Sequence, residues 1–145
     1  MGEIGIITVL YSSSAVLPDF FRSLDRQTLR GFTLYVVDNA SPDDSFELSG
    51  HLAGSVGFTT VFLKNTTNVG IARGNNTGIA AARRDGCEWI LLSNNDTVWE
   101  PDTLKILREE VYRCGAEIAV PRILQQNTGN TWYAEIGRAS CRERV

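Results

Sequence analysis

The chain has 145 residues, 43% hydrophobic and 21% charged, with a formal net charge of -3. One domain of this size buries about two-thirds of its unfolded surface, and the mild acidity argues against nucleic acid as a partner, whose phosphates call for basic stripes. No apolar run approaches the roughly 18 residues of a membrane-crossing helix. The start Met1-Gly2-Glu3-Ile4 lacks the basic n-region of a signal peptide, so a cytoplasmic location is expected.

"IGIITVLY" (4–11) is β-branched and almost continuously apolar, the pattern of a strand buried on both faces. Ser12, Ser13 and Ser14 then offer helix caps, and Leu17, Phe20, Phe21 and Leu24 form an amphipathic helical stripe. Pro18 suits the first turn of that helix, and Gly31 closes the unit. "FTLYVVDNAS" (32–41) is a second strand ending at Asp38-Asn39 and a Ser41-Pro42-Asp43 turn. Residues 43–53 form a short helix with Phe46 and Leu48 inward, and "GFTTVFLK" (57–64) is a third strand. A Gly/Asn-rich loop runs from "NVGIARGNN" into an Ala-rich helix ending at Gly86, followed by a fourth strand, "CEWILLS". A helix opens near Pro101 and runs to about Cys114; "AEIAVPRIL" is expected as a fifth strand broken by Pro121.

Strands alternating with helices over short connections imply βαβ units, right-handed crossovers and a mostly parallel sheet. Function in such sheets gathers at the carboxyl ends of strands. Here those ends carry Tyr11-Ser12, Asp38-Asn39, Lys64-Asn65 and Asn94-Asn95-Asp96. Neither GxGxxG after the first strand nor GxxxxGK[ST] is present, which argues against dinucleotide oxidoreductases and P-loop NTPases. The lone His51 reads as surface or packing. Asn94-Asn95-Asp96 fits two roles, a turn with a helix cap or a sparse Mg²⁺ or Mn²⁺ site completed by substrate phosphates.

Four stretches in order, "ITVLYSSSAVLPDFFRSLDRQT", "LYVVDNASPDDS", "NVGIARGNNTGI" and "EWILLSNNDTVWEPDTL", resemble the family-2-type glycosyltransferases of the GT-A fold. The likeness is greatest to bacterial sugar transferases of cell-surface polysaccharide synthesis, rhamnosyltransferase-like members included, and covers residues 4 to about 123. It implies an α/β, Rossmann-like, mostly parallel sheet flanked by helices, with residues 1–134 as the N-terminal nucleotide-sugar-binding part. It further implies transfer, with inversion, from a UDP- or dTDP-sugar to a glycan or lipid-linked acceptor.

By the same resemblance, Thr8 and Tyr11 would pack the nucleoside, and Asp38 would accept the imide N–H of uracil or thymine. Gly70, Arg73, Gly74, Asn75 and Asn76 match the loop beside the nucleotide. Asn94-Asn95-Asp96 stands in place of the family's Asp-x-Asp motif, with Asp96 as ligand of a divalent metal, Mg²⁺ or Mn²⁺. The sequence departs from the family at Ser12, where Asn commonly follows Tyr, and at Asn75, where many members carry Arg; Arg73 lies two residues earlier. The family's carboxylate base comes from the half after the metal motif. Nothing after Pro121 resembles that segment, so no catalytic residue is assigned. Family members often dock on membranes through C-terminal segments, which would place the parent at the inner face of the membrane.

The tail "IGRASCRERV" (136–145) resembles an in-frame read-through of a sequencing adapter, with Glu135 at the junction. Residues 135–145 are therefore expected to be non-native and the frame truncated. Cys87, Cys114 and Cys141 form no CxxC or Cys/His cluster and read as buried or idle thiols. Two alternatives stand beside the transferase reading. A sugar nucleotidyltransferase would need a Gly-rich basic loop where Tyr11-Ser12-Ser13-Ser14 stands. A non-catalytic module binding nucleotide or a protein partner would need no base.

Overall fold

The apolar run after Glu3 forms β1 (Ile4–Leu10), an inner strand of a four-stranded sheet. The computed structural model describes residues 3–125 and 128–133 and divides the chain into two compact units, residues 1–101 and 102–145. In the first unit β2 (Phe32–Asp38), β3 (Thr59–Lys64) and β4 (Trp89–Leu92) join β1 in the order β3-β2-β1-β4. Every pairing is parallel. Both inner strands are shut off from water, β2 along its whole length, which is why their sequences are apolar runs with no polar face.

The helices α1 (Leu17–Asp25), α2 (Ser45–Ala53) and α3 (Ile71–Arg84) supply the covering layers. Leu17, Phe20, Phe21 and Leu24 are fully buried, as their spacing predicts, each aromatic contributing about 1.5–3 kcal/mol by leaving water. Register partners in a parallel sheet share a face. Val36 and Asp38 therefore share one face with their partners Phe62 and Lys64, and α2 lies there, with Phe46 packed edge-on against Phe62 at 5.9 Å. On the other face α3 approaches unusually closely. A Cβ on Gly78 would sit 2.3 Å from Ile7 Cγ2, and one on Gly74 would sit 2.9 Å from Val9 Cγ1. Gly86, with φ +82°, lies just beyond the helix end, where a left-handed residue favours glycine.

Several expectations need correction. The residue capping α1 is Val16, without a side-chain bond, so the three serines build a loop instead. In α2 the buried positions are Ser45 and Ser49; Phe46 and Leu48 are half-buried, because residues two apart on a helix face about 200° apart. The strand expected over residues 116–124 shrinks to β5 (Ile123–Leu124), which pairs antiparallel with β6 (Thr131–Tyr133) in the second unit. That unit begins with α4 (Thr103–Cys114), closed by Gly115 in the left-handed region. Cys87 is a buried free thiol. Cys141, Glu135, Glu143 and the suspected tail lie outside the described residues.

Candidate nucleotide site at the strand ends

The strand order reverses between β1 and β4: the chain steps from β1 to β2 to β3, then returns to the far side of β1. A crevice is expected outside the carboxyl ends at such a reversal. One is present, a cleft of about 360 Å³ lined by Val9, Tyr11 and Ser13 from the β1 end, Asn39 from the β2 end, Asn68, Gly70 and Ile71 at the start of α3, and Asn94, Asn95 and Asp96 after β4.

The loop after β1 is held in an unusual path. Ser12 takes φ +52°, and Ala40, after β2, takes φ +58°. Non-glycine residues in this region cost of order 1 kcal/mol or more each, and here they turn the chain sharply at two neighbouring strand ends. The backbone N–H of Ser13 donates to Ser45 Oγ at 2.7 Å, and Asp43 accepts from both Ser45 and Ser14. Those hydrogen bonds, Ser45 foremost, hold the Asp43 carboxyl below its ordinary 3.8.

After β4, Ser93 N–H donates to the carbonyl of Ile7 at 2.9 Å, extending the pairing by one residue. Asn95 then turns inward: its Nδ2 donates to the Val9 carbonyl at 2.8 Å and to Ser13 Oγ at 3.1 Å. This fastens the Asn94–Asp96 turn to the end of β1. Asp96 is left exposed at the cleft; among the described residues it makes no ion pair.

The sequence-predicted residues are distributed unevenly around this cleft. Tyr11, Gly70, Asn94, Asn95 and Asp96 line it. Gly70 takes φ +81° with nothing near its Cβ position, so its backbone path, not crowding, demands glycine. Gly74, by contrast, is spent on the approach of α3 to Val9. Arg73 and Asn76 are exposed on α3 and Asn75 is half-buried; none of the three lines the cleft. Thr8 is fully buried within β1 and its Oγ1 lacks a hydrogen-bond partner.

Asp38 is also fully buried, on the α2 face of the sheet. Its Oδ1 accepts from Ser41 N–H at 3.1 Å, whereas Oδ2 has no hydrogen-bond partner. The Lys64 ammonium stands 4.0 Å from Oδ2 and 4.6 Å above the Phe46 ring. Val9, Ser13, Asn39, Asn68 and Ile71 were not among the predicted site residues; only the strand-end position of Asn39 pointed to it.

Residues 5–144 match the model of glycosyl transferase family 2, and the chain belongs to that family. Over 99 residues, 68% of the chain, it is 30% identical to the PGL/p-HBAD biosynthesis glycosyltransferase of Mycobacterium tuberculosis, of which it spans 38%. Over the same length it is 27% identical to a glycosyltransferase of Haemophilus influenzae, spanning 31% of it. Among solved structures, Staphylococcus aureus TarS 1-349 in complex with UDP superposes with a TM-score of 0.70 at 18% identity, over 88% of this chain and 43% of that one. The mannosyltransferase PcManGT from Pyrobaculum calidifontis, in complex with GDP-Man and Mn²⁺, gives 0.69 at 21% identity, over 75% and 32%. The expected α/β, GT-A-like fold is thus present.

Proposed function

We propose that the strand-end cleft binds the nucleoside diphosphate of a sugar donor, and that the chain is the donor-binding part of an inverting glycosyltransferase. The observation that carries this reading is the free carboxylate of Asp96 at a cleft on the strand-order reversal, on a turn that Asn95 anchors to β1. Support comes from the likeness to TarS, whose structures hold UDP and UDP-GlcNAc, and to PcManGT with GDP-Man and Mn²⁺.

The donor set suits Mg²⁺ or Mn²⁺ shared with a diphosphate. Among the described residues no group of three or more His, Cys, Asp or Glu could hold a metal, and such cations need only one or two carboxylates when phosphates complete the shell. Asp96 is the protein ligand in this reading. When bound, the cation supplies charge neutralisation for the departing nucleoside diphosphate.

The chain's own residues orient the donor. A nucleotide laid across the carboxyl edge places its base over the end of β2 and its phosphates towards β4. Asp38 lies at that strand end but on the α2 face, outside the cleft lining and with its Oδ2 4.0 Å from the Lys64 ammonium, so accepting the imide N–H of uracil or thymine, a donor that cytosine lacks, requires its side chain to turn towards the base. Tyr11, 52% exposed, packs against the nucleoside. The acceptor is a glycan or lipid-linked sugar of a cell-surface polysaccharide, met in the cytoplasm at the inner face of the membrane. No helix among the described residues is long and apolar enough to cross a membrane.

Isothermal titration of folded protein with UDP and dTDP, with Mg²⁺ or Mn²⁺, tests the reading. Heat of binding for either nucleotide that depends on the metal is expected; no binding of either overturns it.

A further inference from the structure

Asn39 is 2% exposed, and all the polar groups of its side chain are used in one direction. Its Oδ1 accepts from Asn65 Nδ2 and from the backbone N–H of Val69, both at 3.1 Å. Its Nδ2 donates to Asn68 Oδ1 at 2.8 Å, and that same Oδ1 accepts from the Gly70 N–H at 3.0 Å. The Asn39 backbone N–H donates to the Leu10 carbonyl at 2.9 Å, so the amide is fixed to the end of the β1–β2 pair. The loop from Asn65 to Gly70 is therefore held by this one buried amide together with the bond from the Asn65 N–H to the Asp38 carbonyl at 2.9 Å. Gly70 itself has no capping side chain for α3.

The polarity of this chain of bonds restricts what can stand at position 39. The group must accept twice and donate once, from a position that is itself 2% exposed. Asparagine does so; a carboxylate accepts but cannot donate, and alanine does neither. An acidic group at 39 would force the Asn68 amide to turn its NH₂ inward, and the Gly70 N–H would lose its acceptor.

We propose that Asn39 is a positioning residue for the sugar-nucleotide donor: through Asn68 it sets the wall of the cleft formed by Asn68, Gly70 and Ile71. This rests on the reading of the cleft as a donor site. The Asn39 amide acts by holding the loop in the conformation that the nucleotide meets, so its loss lowers affinity without dismantling the sheet.

The experiment combines titration of UDP in the presence of Mn²⁺ with amide hydrogen exchange on wild type, Asn39→Asp and Asn39→Ala. In Asn39→Asp the Gly70 amide should exchange faster while Val69 stays protected, since its acceptor is kept; in Asn39→Ala both should speed up. Amides of β1 and β2 should be unchanged, a split that general destabilisation would not produce. UDP should bind roughly tenfold more weakly in both variants, a factor of the size one lost hydrogen bond supports. Wild-type affinity in a folded Asn39→Asp protein overturns the inference and leaves the donor reading standing. Absence of UDP binding to wild type overturns the donor reading and the inference with it. If both Asn39 variants fail to fold, Asn68→Ala decides, because Asn68 is exposed: unchanged UDP affinity there overturns the proposal, and a comparable loss with unchanged β1 and β2 protection supports it.

Discussion

The side-chain amide of Asn95 donates to the main-chain carbonyl of Val9 at 2.8 Å, joining positions 86 residues apart. A second bond from the same nitrogen reaches Ser13 Oγ, so one amide ties the turn after β4 to the loop after β1. Asn95→Ala leaves the Val9 carbonyl without this donor, and loss of a part-buried bond of this kind costs about 1–2 kcal/mol. Chemical denaturation should show that loss, and metal-dependent UDP binding should weaken beyond it, since the Asp96 turn is no longer anchored. Full wild-type affinity would show that the turn is held by other means.

Asp96 stands beside that anchor but has no structural task. Asp96→Ala should change folding stability by no more than about 0.5 kcal/mol, as for other exposed sites. Titration of UDP with and without Mn²⁺ should then give the same weak affinity. A retained metal effect would place the cation elsewhere.

The glycines of the first unit should divide cleanly. Gly78→Ala drives a methyl to 2.3 Å from Ile7 Cγ2 and should destabilise by about 1–3 kcal/mol through overpacking. Gly50, inside α2, meets nothing within 4 Å. Gly50→Ala should stabilise by roughly 0.5–1 kcal/mol by restricting the unfolded chain and favouring the helix. Thermal melts of the two variants against wild type check both signs.

Asp43 gives the loop after β1 a dependence on acid. Its folded-state carboxyl is held below the ordinary 3.8, chiefly by the Ser45 hydrogen bond. A depressed value contributes stability that is present above 3.8 and lost as the pH falls through the folded-state value. Asp43→Asn should therefore flatten the acid limb of the stability profile, measured between roughly pH 5 and pH 2. An unchanged limb would mean that the Ser45 and Ser14 bonds do not persist in solution.

Much of the frame was readable because two-sided burial and helical stripes leave direct traces. β1 and β2 are apolar at nearly every position, and Leu17, Phe20, Phe21 and Leu24 recur at the helical period. The expected strand over residues 116–124 misled because short apolar runs look alike whether or not a partner strand is available. The site was legible as a set of strand ends, but not as an arrangement. Thr8 and Asp38 alternate onto the α2 face, while the cleft opens beside the start of α3, and sides depend on which way each crossover turns. Asn39 was hidden for a different reason: its three side-chain partners lie 26 to 30 residues away, beyond any local pattern.

The strand order also constrains how the chain can be made. β1 is synthesised first yet ends up inside the sheet, flanked by β2 on one side and β4 on the other. During vectorial synthesis β2 arrives after about thirty residues, but residues 89–92 complete the other side only much later. Until then an apolar strand presents unpaired N–H and C=O groups on its β4 side, a template for any other nascent strand nearby. Slow translation between β2 and β4 should therefore lower soluble yield, whereas slowing it after residue 101 should not act through this edge.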